Sequence, residues 1–270
     1  EDVLRRDFTI NGLLMDPATG EIIDYVDGRA DIEKKIVRTI GDPETRFSED
    51  YLRMLRAVRF AGNLNYEIEE GTKQSIKNNC ARIKKISAER IQEELTKILT
   101  REGARRCFEL MSETGILAQL LPEIERLKGI EQPPRFHPEG DVWQHTLMML
   151  GLLPKEEDGQ AKKILAWATL LHDAGKALTR TEDEKGVHFY GHVQRGEEIA
   201  DDIMMRLRFS RAQREAVVEL IHYHMVFMNV HKMRPGRLKR FLRMPNFDLH
   251  LELHRLDCLA SHGMLENYEF

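Results

Sequence analysis

A change of pattern after residue 40 is the feature that most constrains the fold. Residues 7–14 alternate with a period of two, and a turn at Pro17–Gly20 precedes a second strand-like segment, EIIDYV, which together predict a β-hairpin. The segment RADIEKK then predicts a short helix, and IVRTI predicts a short strand. From Ser48 onward the pattern is helical. We therefore expect a mainly α protein with a small β portion, that is, an α+β fold.

Helix signals subdivide the rest of the chain. Ser48 predicts the N-cap of a helix that begins at Glu49, and Ser87 predicts the N-cap of the helix AERIQEELTKILT. A third helix, GARRCFELMSETG, ends at Gly115, and the proline-containing stretch GIEQPPRFHPEG that follows is typical of a linker. Beyond this linker we predict six helices, over residues 142–153, 160–178, 191–207, 210–227, 234–243 and 247–262.

Length and composition limit the class of protein. The chain has 270 residues, which suggests about two domains at ~100–200 residues each. It is 41% hydrophobic and 32% charged, as is typical of a soluble globular protein. No segment approaches the ~18 apolar residues of a membrane span. The three scattered cysteines indicate reduced thiols, so we expect a cytoplasmic protein without membrane partners.

The charge balance excludes a uniformly basic nucleic-acid-binding protein, because the net charge is −4. Two local basic runs remain. The first is RIKK at residues 82–85, and the second is KMRPGRLKRFLRM at residues 232–244, which contains six cations and no acid. Either run can bind phosphate or form a solvated helix face, and the solvated face is the favoured interpretation for each run taken alone.

A cationic helix face provides the first chemical signal. In the segment EDYLRMLRAVRFA, Arg53, Arg56 and Arg59 fall within an arc of roughly 120° when successive residues turn by ~100°. One interpretation is an ion pair between Asp50 and Arg53 on a solvated face. The other is that Asp50 and Arg53 bind the edge of a nucleotide base while the other two arginines bind phosphates, for which guanidinium geometry is suited. The spacing alone leaves both open.

Histidine and aspartate side chains provide the second signal. His145 lies near the start of a predicted helix, His172 and Asp173 follow a buried apolar run, and Asp257 lies late in another helical pattern. A lone histidine at such a position is more often a core residue. Four imidazole and carboxylate side chains at helical sites instead suit a divalent metal ion, so we predict that these four residues form a metal site.

The segments RRDFTINGL, EIIDYVDGRADIEKKIVRTIGDPETRFSEDYLRMLRAVRFA and ISAERIQEELTKIL resemble, in this order, the bacterial tRNA nucleotidyltransferase and poly(A) polymerase family. The resemblance implies that Arg6 and Asp7, supported by Asn11, contact the ribose and triphosphate of the incoming nucleotide. It also implies that Asp50 and Arg53 form an amino-acid template for CTP and ATP. It assigns further nucleotide contacts to Arg56 and Arg59.

The same resemblance identifies residues 1–40 as the C-terminal part of a nucleotidyltransferase palm and residues 41–130 as a helical nucleotide-selecting and RNA-binding neck. The family's glycine-rich turn and its acidic pair for two Mg²⁺ ions do not occur in front of Arg5 in this sequence. Phosphoryl transfer depends on such metal ions. We therefore expect a fragment that by itself adds no nucleotides.

The histidine and aspartate pattern resembles the HD phosphohydrolase superfamily, whose motif is H…HD…D, and so identifies residues 131–270 as an all-α HD domain. The resemblance implies a transition metal such as Ni²⁺, Mn²⁺, Fe²⁺, Co²⁺ or Zn²⁺, with His172 and Asp173 as catalytic residues and ligands. It implies that His192 and His224 bind phosphate or a second metal, with His222 a weaker candidate, and that Lys176 is a further catalytic residue that reaches a phosphate. For the other histidines of this region we predict surface or packing roles: His188, His231, His250, His254 and His262.

Together the two resemblances imply a tRNA 3′-end nucleotidyltransferase that adds CCA or A from CTP and ATP and carries an HD phosphohydrolase acting on 2′,3′-cyclic phosphates and 2′-phosphates. Poly(A) polymerases of the family usually lack the complete HD ligand set, which favours the tRNA enzyme. Three alternatives stay open at this point: a poly(A) polymerase, a phosphohydrolase with a nucleotide-binding remnant, and a noncatalytic RNA-binding protein.

Overall fold

The computed structural model describes residues 2–154, 159–184, 186–261, 263 and 265–270. The chain folds as two compact units, Glu1–Leu120 and Leu121–Phe270. The first unit contains the predicted palm segment together with most of the predicted neck, and the three-part division at residues 40 and 130 stays a prediction. In the part of the chain that is described, no helix is long and apolar enough to cross a membrane.

The first unit is mainly helical and carries two pairs of very short strands. Its helices are α1 (Asp2–Arg5), α2 (Gly28–Glu33), α3 (Pro43–Glu49), α4 (Leu52–Leu64), α5 (Glu70–Asn79), α6 (Ala88–Thr100), α7 (Ala104–Glu113) and α8 (Ile116–Leu120). Its strands are β1 (Leu14–Met15), β2 (Ile22–Ile23), β3 (Ile36–Val37) and β4 (Glu67–Ile68), and 3-10 segments cover Thr9–Asn11 and Cys80–Lys85. Helices α6 and α7 pack against α4, which lies in the core.

The hairpin predicted near the start is present, but its first strand is shorter than the alternating pattern suggested. Strand β1 pairs with β2 in antiparallel register, Leu14 opposite Ile23. Thr9–Asn11 form a 3-10 turn instead of a strand, because the Asn11 side chain accepts a hydrogen bond from the backbone N–H of Phe8 (3.1 Å). Such local side-chain bonds compete with strand pairing. The predicted strand in IVRTI is β3, and it pairs in parallel with β4.

The prediction of an N-cap at Ser48 is wrong. Helix α3 starts earlier, because the Asp42 carboxylate accepts a hydrogen bond from the N–H of Thr45 (2.8 Å) and Pro43 occupies the first helical position, a combination that favours helix initiation. Ser48 lies inside this helix and donates to the carbonyl of Thr45. Ser87 does lie at the N-cap of α6, although its side chain makes no capping hydrogen bond.

The second unit contains helices α9 (Pro122–Glu125), α10 (Val142–Gly151), α11 (Gln160–Leu171), α12 (Lys176–Thr179), α13 (His192–Arg206), α14 (Arg211–Tyr223), α15 (Pro235–Leu242), α16 (Phe247–Ala260) and α17 (Glu266–Glu269). A 3-10 segment, His224–Lys232, continues from α14. Strands β5 (Thr181–Asp183) and β6 (Gly186–His188) form an antiparallel pair, so the all-α prediction for this region needs this correction. Helix α14 packs on α11 and α13, and α16 packs on α10 and α11.

The helices predicted after residue 140 are present with two changes that matter for the site. The helix predicted over 160–178 is broken between Leu171 and Lys176. The helix predicted over 210–227 ends at Tyr223 and tightens into the 3-10 segment. The last predicted helix, over 247–262, ends at Ala260, and its final position, His262, lies outside the described residues.

Glycine at position 175 permits the turn after α11 to lie close to α13. A Cβ atom on Gly175 would lie 2.1 Å from the carbonyl oxygen of His192 and 2.7 Å from the amide nitrogen of Gly196, distances that real Cβ atoms do not reach. The turn after α11 therefore packs backbone to backbone against the start of α13. A side chain at this position would push His192 away from the His172–Asp173 turn.

Candidate metal centre and candidate nucleotide site

Five elements of the second unit bring the predicted metal ligands together. The side chains come from α10 (His145), the turn after α11 (His172 and Asp173), the start of α13 (His192), the start of the 3-10 segment after α14 (His224) and α16 (Asp257). Helix α10 begins at Asp141, whose carboxylate accepts a hydrogen bond from the N–H of Gln144. Asp173 is only 3% exposed, so the centre of this cluster lies inside the unit.

Asp173 is shared by two sets of possible ligands. One ligand atom each from His145, His172 and Asp173 lies within 4.8 Å of the other two, and the same holds for Asp173, His192 and His224. The Nε2 atom of His145 is 3.1 Å from an oxygen of Asp257. The structure thus brings together all four predicted metal ligands and both predicted auxiliary histidines. Their roles as ligands stay predictions.

The four histidines are oriented in the same way. In each ring Nδ1 is bonded to an oxygen, so that Nε2 is the atom turned to the centre. The Nδ1 partners are Glu139 Oε1 for His145 (2.7 Å), the carbonyl of Thr169 for His172 (3.0 Å), the carbonyl of Phe189 for His192 (2.8 Å) and the carbonyl of Ile221 for His224 (2.6 Å). Histidines that bind metals characteristically donate their other N–H to a carbonyl or carboxylate.

All four Nε2 atoms are buried and have no hydrogen-bond partner. The Nε2 atoms of His145 and His172 are 3.1 and 3.2 Å from carboxylate oxygens of Asp257 and Asp173, but the angles are not those of hydrogen bonds. Buried polar atoms are normally paired, and several unpaired ones around one point require an explanation. A divalent cation fits this donor set of imidazole nitrogens and carboxylate oxygens.

The electrostatics favour the ligand forms of the carboxylates and of His224. Burial opposes ionisation of Asp173 and Asp257, but nearby groups outweigh it. His172 and Lys176 hold the pKa of Asp173 well below its usual range, and His145, followed by His172, does the same for the pKa of Asp257. Burial, followed by the charge on His172, lowers the pKa of His224 to about 4. At neutral pH these groups are therefore ready to bind a cation.

His145 behaves differently. Burial lowers its pKa, but the carboxylates of Asp257 and Glu139 outweigh burial and raise the pKa to about 9. Without a cation in the centre, this imidazole is protonated at neutral pH. A metal ion must displace that proton, so metal binding should strengthen as the pH rises.

The stretch GIEQPPRFHPEG is part of the site, and its interpretation as a linker missed this. The Glu139 carboxylate is buried and bonds to Nδ1 of both His137 (2.9 Å) and His145 (2.7 Å). Gln132 is 5% exposed and accepts a hydrogen bond from Lys176 (2.7 Å). The prolines of this stretch suggested an irregular connection, and the only sequence signal for a buried role was a histidine and a glutamate shortly before His145.

Lys176 lies on the wall of a pocket beside the cluster. Its amine is 2.7 Å from Asp173 Oδ2 and sits 5.4 Å from the centre of the Phe189 ring. The pocket has a volume of about 380 Å³ and is also lined by His192, His224 and Asp257. Two exposed aromatic side chains, Phe136 and Tyr190, form part of its lining. The pocket is therefore open to a ligand that has both a charged and an apolar portion.

The remaining histidines of this unit lie outside the cluster of Nε2 atoms. His250 is buried beside Tyr223, and His231 contacts the ring of Phe270. His222 is exposed and 2.9 Å from Glu197. His254 stacks on Phe227, and His188 stacks on Tyr190. These two histidines also line the pocket, a position that the predicted surface or packing roles did not include.

In the first unit, Asp7 holds two of the predicted nucleotide-binding arginines. The Nε atom of Arg53 is 3.0 Å from one carboxylate oxygen of Asp7, and Nε of Arg56 is 2.5 Å from the other. Arg53 also donates to the carbonyl of Arg46 and to Glu49. The carboxylate of Asp7 is thus occupied by arginines, and its direct role here is to orient their guanidinium groups.

Arg46, which sequence reasoning missed, fixes the turn that carries Arg6 and Asp7. Its Nη2 atom donates to the carbonyls of Arg5 (2.9 Å) and Arg6 (2.6 Å). Arg6 in turn donates to the carbonyl of Asn11 (2.9 Å). No spacing rule could have linked Arg46 to this turn, since the two are separated by 40 residues.

The ion pair between Asp50 and Arg53 that sequence spacing allowed is absent. Asp50 lies before α4 and its carboxylate accepts hydrogen bonds from the N–H of Leu52 (3.1 Å) and from Arg90 (2.7 Å). Arg53 points to Asp7 and Glu49 instead. Each member of the predicted template is therefore positioned by a separate partner at the N-terminal end of α4.

Arg59 lies away from the other arginines, in the packing between α4 and α6. It is 7% exposed, forms a salt bridge with buried Glu94 (2.5 Å) and lies 4.4 Å from the centre of the Phe60 ring. A buried charge is stable only when it is paired. Because the guanidinium is enclosed, we assign Arg59 to helix packing instead of the nucleotide contact implied by the sequence.

Comparison with known families divides the chain in the same order as the motifs. Residues 1–38 match the poly A polymerase head domain, and residues 65–128 match a family described as "Probable RNA and SrmB- binding site of polymerase A". Residues 142–251 match the HD domain.

Individual relatives agree with these matches. The chain is 34% identical to a multifunctional CCA protein of Nitrosococcus oceani over 245 residues, which cover 90% of this chain and 58% of the relative. It is also 34% identical to a multifunctional CCA protein of Actinobacillus pleuropneumoniae, over 91% of this chain and 59% of the relative. The chain thus spans less than two thirds of the length of these relatives. This chain also shares its fold with the solved structure of a tRNA-processing enzyme in an apo form. The two superpose with a TM-score of 0.64 at 20% identity, over 100% of this chain and 69% of the enzyme's chain.

Proposed function

We propose that the chain, whose segments match the poly A polymerase head domain, the probable RNA-binding site of polymerase A and the HD domain, is a member of the tRNA nucleotidyltransferase and poly(A) polymerase family that acts in CCA or A addition to tRNA 3′ ends. We propose further that its second unit is a metal-dependent phosphohydrolase. The substrates of the transferase would be tRNA, CTP and ATP. The relatives named multifunctional CCA proteins support the first part of the proposal. The observation that carries the second part is the set of four buried Nε2 atoms without hydrogen-bond partners around Asp173.

The donor set indicates which cofactor the second unit would hold. Mixed imidazole and carboxylate ligands suit Mn²⁺, Fe²⁺, Co²⁺, Ni²⁺ or Zn²⁺. The ligands would be His145, His172, Asp173 and Asp257. His192 and His224 would bind either a second ion or a phosphate oxygen. A bound divalent ion would neutralise charge on a phosphate and activate water for attack.

The residues of the chain would supply the rest of the chemistry. Lys176 would place a positive charge next to a phosphate in the pocket, while Asp173 and Gln132 hold its amine in position. Burial keeps the imidazole of His224 neutral, so the lone pair of its Nε2 atom is available for a second ion. We propose 2′,3′-cyclic phosphates and 2′-phosphates of nucleotides as the substrates, with the ring of the base against the apolar pocket wall.

Metal removal tests the phosphohydrolase proposal. The chain, supplied with Mn²⁺, Co²⁺ or Ni²⁺, is expected to release phosphomonoester product from a 2′,3′-cyclic nucleotide, and excess chelator should abolish the reaction. Re-addition of the metal should restore it. Product formation is followed by chromatography in parallel with metal content by elemental analysis. Hydrolysis that persists in a metal-free sample would contradict the proposal.

Substitution of Arg53 tests the transferase proposal. In a protein of this family that adds nucleotides and carries this first unit, Arg53→Ala should lower the efficiency of CTP and ATP transfer by about 10- to 100-fold or alter the choice between them, since a good bidentate contact to a base contributes ~1–3 kcal/mol. Lys97→Ala, which removes a half-exposed cation on α6, is the control. Unchanged kinetics and unchanged choice of nucleotide in Arg53→Ala would rule out base recognition by this residue.

A further inference from the structure

We propose that a basic groove on the second unit binds the phosphate backbone of an RNA strand whose 3′-terminal nucleotide enters the metal pocket. The inference rests on the proposed phosphohydrolase function and names its substrate class, an RNA end rather than a free nucleotide. We define the basic groove by its four lining cations, Lys232, Arg234, Arg237 and Arg240.

The charge of this region is one-sided. Between His224 and Phe247 the sequence contains six lysines and arginines and no acid, although the whole chain has a net charge of −4. All six cations are exposed. Among the residues that the structure describes, none of the six has a carboxylate within salt-bridge distance, whereas other exposed arginines of the unit, such as Arg195 and Arg211, are paired with glutamates.

The cations surround a concave surface and do not merely cover a convex helix face. The groove has a volume of about 550 Å³, and its remaining lining includes Met225 and Asn229. Converging cations that lack acidic partners bind a polyanion more strongly than scattered ones, because each bound phosphate releases counterions from the strand. This concavity is what the sequence could not show, and it reverses the preference for a solvated helix face at residues 232–244.

The groove and the metal pocket are joined by one element. The 3-10 segment His224–Lys232 begins with a histidine of the metal cluster and ends with a cation of the groove, and Met225 lines both cavities. Eight steps of a regular 3-10 helix advance ~16 Å. A strand whose terminal phosphate lies beside His224 would therefore reach the groove within a few nucleotides.

The metal pocket itself is suited to the terminal base. Tyr190 is 75% exposed, stacks on His188 at 5.1 Å and lines the pocket together with Phe136, which is 51% exposed. Aromatic faces of this kind bind single-stranded bases by stacking and tolerate any base. The aromatic side chains beside the metal cluster can bind the terminal base, and the neighbouring cationic groove can bind the phosphates that precede it. A mononucleotide would contact only the aromatic side chains.

The experiment compares two substrates of the metal-loaded chain: a 2′,3′-cyclic mononucleotide and a short single-stranded oligoribonucleotide with a 2′,3′-cyclic phosphate end. The quantity measured is the ratio of their kcat/KM values. The test variant is Arg237→Ala/Arg240→Ala. The control variant, Lys163→Ala/Arg211→Ala, removes two other exposed cations of the same unit that line neither cavity.

The wild-type chain and the control variant should prefer the oligonucleotide. In the test variant the ratio of kcat/KM for the oligonucleotide to that for the mononucleotide should fall about tenfold. The slope of log KM for the oligonucleotide against log salt concentration should become shallower by about 1.4, since two phosphate contacts are lost and each contributes ~0.7 for a single strand. Equal use of the two substrates by the wild type, or an unchanged ratio in the test variant, would overturn the inference.

A second measurement separates this inference from the proposed activity. If neither substrate is hydrolysed, the phosphohydrolase proposal fails, and amide hydrogen exchange decides whether the groove binds RNA. Addition of the oligonucleotide should slow exchange in residues 232–243 of the wild type and leave the test variant unchanged. If these amides exchange at the same rate with and without the oligonucleotide, the groove does not bind RNA.

Discussion

Asp173→Asn is expected to leave the second unit folded but to abolish both metal binding and hydrolysis of a 2′,3′-cyclic nucleotide, with a loss of activity of at least about 10³-fold. The magnitude follows because a metal ion supplies several kcal/mol of charge stabilisation to phosphoryl transfer, and each 1.36 kcal/mol is about tenfold in rate. Asparagine keeps the shape of the side chain but removes the charge that both ligand sets share.

The same assay with Glu139→Gln should give an intermediate result. The Oε1 atom of Glu139 is bonded to Nδ1 of His145 and of His137 and does not face the predicted metal position. Partners that orient a metal-binding histidine typically change metal affinity by about 10- to 100-fold when they are replaced. Glu139→Gln should therefore weaken metal binding by that factor, and saturation with metal should restore most of the hydrolysis.

Asp202→Asn, on the exposed surface of α13, controls for the loss of a carboxylate elsewhere in the unit. Elemental analysis and isothermal titration with Mn²⁺ report metal binding, and the fluorescence of Trp143 and Trp167, which are buried in this unit, reports folding. Full metal occupancy in folded Asp173→Asn would show that Asp173 is not a ligand and would remove the basis of the proposed site.

The helices and ligands of the metal cluster were predicted best where the sequence pattern was local. The His172–Asp173 pair followed an apolar run, and the helices that carry His145 and Asp257 had clear periodicity, so the elements could be placed and their convergence expected. The resemblance to a family placed His192 and His224 in the same cluster. Helix ends were less secure: the break between Leu171 and Lys176 was not predicted, and no local pattern encodes the close backbone contact between Gly175 and His192.

The residues that were missed act through contacts between distant parts of the chain. Glu139 and Gln132 lie in a stretch rich in prolines, and their burial depends on α10 and α12. Arg46 bonds to carbonyls 40 residues away. Arg59 has the same spacing as Arg53 and Arg56, but only the position of α6 decides that it meets Glu94 inside the unit. A helical periodicity shows which residues share a face and does not show what covers that face.

The pairing of Arg59 with buried Glu94 predicts a large effect on stability. Glu94→Gln should lower the free energy of unfolding of the first unit by ~3–5 kcal/mol, because it leaves the enclosed guanidinium of Arg59 without a counter-charge. Glu93→Gln is the matched control: the residue is the neighbour on α6, but its carboxylate is exposed and paired with Lys97, so little change is expected.

The measurement takes advantage of the distribution of tryptophan. Both tryptophans lie in the second unit, so urea unfolding of the first unit appears in far-UV circular dichroism but not in tryptophan fluorescence. Because the second unit is also helical, circular dichroism reports both units. Glu94→Gln should shift the part of the circular dichroism change that tryptophan fluorescence does not follow and leave the fluorescence transition unchanged. Replacement of the whole pair, Arg59→Met/Glu94→Leu, should recover much of the lost stability, since apolar side chains of similar volume can substitute for a buried ion pair. If Glu94→Gln unfolds at the wild-type urea concentration, the pair does not stabilise the unit, and Arg59 would again be a candidate for nucleotide binding.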